Sequence, residues 1–87
     1  MKVVKLDGRH NLYRKGYTHA FRFSNWNDNA RAVENALRNK VYKNDSWRSS
    51  NWDTFWGKAK RDGYDRTRPY WIGVRNEAVV TQILLSL

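Results

Sequence analysis

Residues 70–87, YWIGVRNEAVVTQILLSL, form the most apolar run of the chain and are predicted to supply the centre of its core. Pro69 can precede a strand but does not fit inside one, so residues 70–74 are predicted to form a strand. Residues 77–87 fit either an amphipathic helix or an alternating strand. Asn76 is a good helix cap and a glutamate follows it, which favours the helix.

Three further strands are predicted in the first 24 residues, at residues 2–6, 9–14 and 17–24, and they are expected to form an antiparallel meander. The dipeptide Asp7-Gly8 suits a type I′ hairpin turn between the first two. Alternation in the third strand directs its aromatic side chains to one buried face. The opposite, open face of the sheet is then expected to carry Lys5, Arg9, Tyr13 and Arg22.

Two helices are predicted between the meander and the C-terminal segment. Residues 25–40 have apolar side chains at steps of three and four, and Ser24 can cap this helix. Residues 51–62 follow a capping pattern, and three aromatic residues in this stretch have the spacing of one helical face. These residues are Trp52, Phe55 and Trp56.

The expected fold class is therefore α+β, in a single domain over residues 1–87. It comprises an antiparallel sheet, made of the three-stranded N-terminal meander plus strand 70–74, with two to three helices packed on one face. Aromatic residues make up 15% of the chain, and each buries a large area, so even this short chain can form a core.

Basic residues outnumber acidic ones by 17 to 8, and the formal net charge is +9. Residues 1–26 contain six basic residues and one acidic residue, and residues 42–71 contain seven basic and four acidic residues. The positive electrostatic field of such an excess of basic residues favours a polyanionic partner, which could be nucleic acid, an acidic protein surface or anionic lipid.

Several classes of protein are disfavoured by what the sequence lacks. There is no cysteine, which excludes disulfides and thiolate metal sites and suits a reducing compartment. No apolar run approaches the ~20 residues of a membrane-spanning helix, and no signal-peptide core is recognisable at the N-terminus. A cytoplasmic protein without a membrane span is expected.

Catalytic and metal-binding motifs are also not recognisable. The two histidines, His10 and His19, have no carboxylates at ligand spacing beside them. The carboxylates have sufficient roles at helix ends, in ion pairs and in turns, and no seryl nucleophile motif or glycine-rich phosphate loop occurs. A non-catalytic protein without a cofactor or metal is expected.

Basic and aromatic residues are interleaved between residues 47 and 71. Arginine and lysine can neutralise phosphates, and exposed rings can stack on unpaired bases at roughly 1–3 kcal/mol each. Most of the rings are also accounted for as core residues by their spacing. The basic residues cluster near the predicted end of the second helix, at Lys58, Lys60, Arg61, Arg66 and Arg68.

The layout of the N-terminal half, three strands followed by a helix through about Lys40, resembles the AP2 and integrase N-terminal type of DNA-binding domain. That resemblance implies a sheet laid into the major groove, with contacts from Lys5, Arg9, Tyr13 and Arg22. The long aromatic second half departs from that family. Separately, the Trp-rich middle and the ending YWIGVRNEAVVTQILL resemble small uncharacterised proteins of tailed bacteriophages, which implies a host-directed or DNA-associated accessory protein.

The leading functional prediction is nucleic-acid binding through phosphate contacts, by the nine basic and aromatic residues named above on the open sheet face and near the second helix. The alternative is a protein-interaction module, such as a phage-type inhibitor that docks on an acidic host protein. DNA, RNA and protein all stay open as partners, and so does the oligomeric state.

Overall fold

The computed structural model of the protein describes residues 1–42, 51–57 and 69–87. Within these residues, four strands form one antiparallel sheet in the order β1-β2-β4-β3. The elements are β1 (Lys2–Lys5), α1 (Asn11–Arg14), β2 (His19–Phe23), α2 (Asp28–Ala36), β3 (Trp52–Trp56), β4 (Tyr70–Val74) and α3 (Glu77–Ser86). A π-helical turn, Leu37–Val41, continues α2. The predicted α+β class with a four-stranded antiparallel sheet is confirmed.

Strand β4 is a central strand, as expected for the most apolar run of the chain. It pairs with β2 on one side and with β3 on the other, so that Ile72 lies between Phe21 and Thr54. Tyr70, Ile72 and Val74 alternate onto one face and are buried there. The strand predicted at residues 70–74 is therefore confirmed.

The main core lies between this face of the sheet and the helices α2 and α3. The strands and both helices contribute its buried side chains. The largest fully buried ones are Phe21, Phe23, Val33, Leu37, Ile72, Val74 and Ile83. None of the helices in the described part of the chain is long and apolar enough to cross a membrane.

The capping residues of the two long helices determine where each helix begins. The Asn76 side chain accepts a hydrogen bond from the Ala78 N–H at 2.8 Å, so the C-terminal segment is the predicted helix and not a strand. Helix α2 begins later than predicted, because Asn27 and not Ser24 is its cap. The Asn27 side chain accepts from the backbone N–H groups of Asn29 and Ala30.

The strand predicted at residues 9–14 is wrong, because this segment forms the short helix α1. The Asp7 side chain accepts from the Arg9 N–H at 2.9 Å, and the His10 side chain then caps the helix. A type I′ turn needs positive φ at both central residues, but Gly16 is the only described residue with positive φ. The predicted turn at Asp7-Gly8 is therefore wrong as well.

Helix α1 ends in a Schellman motif. The Gly16 N–H donates to the Tyr13 carbonyl at 2.9 Å, and the Tyr17 N–H donates to the Leu12 carbonyl at 3.1 Å. Gly16 has φ +100°, which glycine adopts at little cost. The accompanying apolar contact joins Leu12 and Tyr17, and it turns the chain back into β2.

The helix predicted at residues 51–62 is wrong over its described part, because residues 52–56 form the edge strand β3. Trp52, Thr54 and Trp56 pair with residues of β4 on the helix-covered face, and Phe55 lies opposite Trp71 on the other face. Both faces of the sheet bury aromatic surface here, so the helical spacing of the rings was coincidental. Residues 58–62 lie outside the described residues.

The second face of the sheet carries a smaller cluster that α1 and its flanking residues cover. Leu6, Leu12, Tyr17 and Ala20 are buried in it, and Trp71 and Phe55 pack at its margin. A Cβ atom on Gly73 would lie 3.0 Å from Leu12 Cδ1, so the glycine permits the close approach of α1. Tyr17 therefore packs on this face, and not with Phe21 and Phe23 as predicted.

Candidate nucleic-acid interface

A row of four side chains crosses the sheet on the face opposite α2 and α3. Lys2 lies opposite Arg22, Arg22 opposite Trp71, and Trp71 opposite Phe55. The Arg22 guanidinium carbon lies 5.4 Å from the centroid of the Trp71 ring, within cation–π range. Lys2 and Arg22 are exposed, and the two rings are half-buried. The row therefore presents two cations beside a partly accessible indole.

His10 contacts the aromatic half of this row. Its ring centroid lies 4.5 Å from that of Trp71 and 5.3 Å from that of Phe55. Its Nδ1 atom accepts from the Leu12 N–H at 3.1 Å, which fixes the ring at the start of α1. Burial lowers the pKa of His10 below the ordinary value of 6.5, and the nearby Asp7 carboxylate acts in the opposite direction. The imidazole is therefore neutral at pH 7.

A pocket of about 240 Å³ opens beside these rings. The rings of Trp71 and His10 form its aromatic part, and its other lining residues are Val4, Lys5, Leu6, Asp7 and Arg9. Two cations, one carboxylate and two aromatic rings thus line one small space. We call the set of Lys2, Arg9, His10, Arg22, Phe55 and Trp71 the Arg22–Trp71 surface.

Few acidic residues neutralise this surface within the described part of the chain. The first 26 residues contribute five more positive than negative charges. Six basic residues lie in this N-terminal stretch. Among the described residues, one of them forms an ion pair: Lys15 Nζ lies 3.3 Å from Asp53 Oδ2. Lys2, Arg9 and Arg22 are exposed and make no ion pair with any residue that the structure describes. Their charge is therefore available to an anionic partner.

The structure brings together some of the residues that the sequence predicts for binding and separates others. Arg9 and Arg22 both lie beside Trp71. The prediction that Lys5 shares a face with Arg22 is wrong, because the register pairs Lys5 with His19, on the helix-covered face. Lys5 nevertheless lines the pocket from the end of β1. Tyr13 lies on α1 with 45% of its surface exposed.

The other predicted binding residues lie outside the described residues, and their role stays a prediction from sequence. They are Lys58, Lys60, Arg61, Arg66 and Arg68.

Sequence reasoning missed Lys2, His10, Phe55 and Trp71 as members of the surface. Trp71 lies in the apolar run that is predicted to supply the core, so its composition does not indicate an accessible indole. The alternation within YWIGV carries the missing signal, because Tyr70, Ile72 and Val74 occupy one face and leave Trp71 on the other.

Arginine–ring contacts also occur elsewhere in the described residues. Arg31 lies over Trp26 at 5.3 Å, Arg38 over Trp52 at 5.5 Å and Arg75 over Tyr17 at 4.5 Å. Such contacts cover hydrophobic surface as well as bind ligands, so the Arg22–Trp71 contact alone does not define a site. The adjoining pocket and the row of cations distinguish it from the Arg31–Trp26 contact.

Within residues 1–42, 51–57 and 69–87, no group of three or more His, Cys, Asp or Glu side chains is arranged to hold a metal ion. No family model matches the chain, and searches of curated proteins and of solved structures likewise find no significant match.

Proposed function

We propose that this protein is a non-catalytic nucleic-acid-binding protein that contacts phosphates at the Arg22–Trp71 surface. The observation that carries the proposal is the row of Lys2, Arg22 and Trp71 on the sheet face opposite α2 and α3, with the Arg22 guanidinium over the indole. A sugar–phosphate backbone that crosses the strands would meet both cations. The proposed setting is the cytoplasm, which suits a chain without cysteine.

Phosphate contacts would dominate the affinity, so binding would depend strongly on salt and only weakly on sequence. Lys2, Arg9 and Arg22 supply three cations to this contact, and Lys5 can supply a fourth from the pocket rim. The Arg22 guanidinium lies over the Trp71 ring, and its planar donors suit two phosphate oxygens. The basic residues between positions 58 and 68 are proposed to add to the same field by their charge.

The test is fluorescence anisotropy of the purified protein with labelled single- and double-stranded oligonucleotides over a salt series. Four phosphate contacts would give a log–log salt slope of about −2.8 on single strands and about −3.6 on duplex DNA. Arg22→Ala is expected to weaken binding and make the slope less steep by about 0.7 to 0.9.

Arg31→Ala is the matched control, because Arg31 also lies on an exposed tryptophan but belongs to α2, which packs on the other face. It is expected to leave the salt slope nearly unchanged. Equal effects of the two substitutions, or no binding at low salt, would contradict the proposed surface.

A second candidate function, docking on an acidic protein, is favoured by the end of α3. Leu84, Leu85 and Leu87 are 47%, 83% and 57% exposed, and Leu85 lines a groove of about 330 Å³ together with Lys40. The resemblance to tailed-bacteriophage proteins would make a host protein the partner. In that case Leu85→Glu would abolish a one-to-one complex, whereas it would leave oligonucleotide binding unchanged.

A further inference from the structure

We infer that the pocket beside Trp71 receives one unpaired nucleobase, so that the partner is a single-stranded nucleic acid and not a duplex. This inference rests on the proposed nucleic-acid-binding function and specifies its substrate. It assigns a role to the pocket that phosphate binding alone leaves unexplained.

The size of the pocket suits a single planar ring system. Its volume of about 240 Å³ lies below the ~300 Å³ at which pockets for drug-sized ligands begin. It is also several times the ~30 Å³ that one water molecule occupies in the liquid. A base on a flexible backbone fits this range, and the rest of the nucleotide stays at the rim.

The aromatic walls of the pocket are held in place before any ligand arrives. The rings of Trp71 and His10 meet at an angle of 57° and therefore form a corner and not a closed stack. Phe55 contacts the His10 ring nearly edge-on, with an angle of 71° between the two ring planes. The Leu12 N–H donates a hydrogen bond to His10 Nδ1, which also holds the imidazole in place. The ring of a bound base can lie against one wall with its edge toward the other, and aromatic groups favour this arrangement.

The polar rim distinguishes a base from a phosphate as the occupant. The Asp7 carboxylate lines the pocket, and the Arg9 N–H donates to its Oδ1 atom at 2.9 Å. A carboxylate repels a phosphate, but it has about four acceptor sites and can accept further N–H groups from the edge of a base. Lys5 and Arg9 line the same pocket and can meet the flanking phosphates.

A paired base cannot enter this pocket without leaving its stack. Extrusion from a duplex costs a few kcal/mol, whereas a single strand offers unstacked bases at little cost. The pocket is therefore expected to favour single strands over duplexes of the same length.

The experiment compares three labelled 12-nucleotide ligands by fluorescence anisotropy at one salt concentration. These are a mixed-sequence single strand, its duplex, and a single strand with the same phosphates but abasic sugars throughout. The intact single strand is expected to bind about tenfold more tightly than the abasic strand, since one stacked base is lost. The duplex is expected to bind more weakly than the intact strand.

Two variants locate the effect at the pocket. Val4→Phe fills the pocket from its β1 side without changing any charge, and Trp71→Leu removes the indole wall. Each is expected to reduce the preference for the intact strand over the abasic strand to less than about twofold. Trp26→Leu is the matched control, because Trp26 is 40% exposed and also carries an arginine but lies outside the pocket lining. Thermal melting identifies any variant that fails to fold, and Val4→Phe decides the question if Trp71→Leu does fail.

The outcomes separate this inference from the proposed function. Equal affinity for intact and abasic strands would overturn the base pocket and leave phosphate binding intact. Tighter binding to the duplex would also overturn it. No binding to any of the three ligands would overturn both proposals.

Discussion

The Tyr70 hydroxyl donates a hydrogen bond to Glu34 Oε1, and this contact joins the central strand β4 to helix α2 across the main core. Burial, together with the hydrogen bond to Glu34, raises the pKa of Tyr70 well above its ordinary value. Tyr70 is 4% exposed, so its hydroxyl has little access to water. The carboxylate thus provides an acceptor for a polar group that is buried in the core.

Tyr70→Phe is expected to lower the free energy of unfolding by about 1–3 kcal/mol, because it leaves the half-buried Glu34 carboxylate without this donor. Glu34→Gln keeps an acceptor for the hydroxyl and is expected to cost less. Urea denaturation followed by circular dichroism measures both. Tyr13→Phe, at a 45%-exposed ring, controls for the loss of a hydroxyl. An equal cost at the two tyrosines would contradict a structural role for the Tyr70 contact.

Gly16→Ala is expected to destabilise the protein by about 1–2 kcal/mol, because residue 16 has φ +100° and an L side chain there is strained. The new Cβ atom would also lie 2.5 Å from Arg75 Nη1. Gly8→Ala is the matched control, since no atom lies within 4 Å of its Cβ position and φ is not positive there. That substitution is expected to be neutral or slightly stabilising. Thermal melting of the two variants tests this difference, and equal melting temperatures would contradict it.

The features that sequence predicts correctly are those with local and mutually consistent signals. Residues 70–74 combine a preceding proline with a dense apolar run. The Asn76 side chain caps the helix that begins at the next residue. The alternation of Phe21, Arg22 and Phe23 likewise has one interpretation. In each case composition, period and boundary residue indicate the same structure.

The features that sequence misses depend on tertiary partners. Trp52, Phe55 and Trp56 fit a helical face, and only the pairing of β3 with β4 shows that they divide between two faces of a sheet. Segment 9–14 lies between Asp7-Gly8 and Lys15-Gly16, which suits a short strand between two turns, but the hydrogen bonds of Gly16 and Tyr17 to Tyr13 and Leu12 end a helix there. The pocket could not be predicted either, because it forms only when α1 carries His10 to Trp71.

Gly73→Val is expected to destabilise the protein by about 1–3 kcal/mol, because its Cβ atom would lie 3.0 Å from Leu12 Cδ1 and 3.2 Å from Tyr17 Cβ. Leu12→Ala removes a fully buried side chain and is expected to cost about 2–5 kcal/mol. The double variant is expected to cost less than the sum, because the valine occupies space that Leu12 vacates. A double-mutant cycle by urea denaturation measures this coupling, and strict additivity would contradict the packing of α1 against Gly73.

The stability of the protein is expected to fall as the pH is lowered below about 6.5, because His10 must accept a proton that the fold disfavours. Burial lowers the pKa of His10 in the folded chain, so the unfolded chain binds more protons between the folded and unfolded pKa values. Its contribution is therefore complete above the unfolded value of 6.5 and is lost as the pH falls through the folded value. Protonation also removes the Nδ1 acceptor that caps α1.

His10→Asn isolates this effect, because asparagine caps helices well but does not titrate. The variant is expected to show a flatter dependence of unfolding free energy on pH between 5 and 7 than the parent protein, when both are measured by urea denaturation. His19→Asn is the matched control and is expected to keep the slope, because it leaves His10 and its contact with Leu12 in place. If His10→Asn keeps the full slope, another group is responsible, and the link between His10 protonation and stability is contradicted.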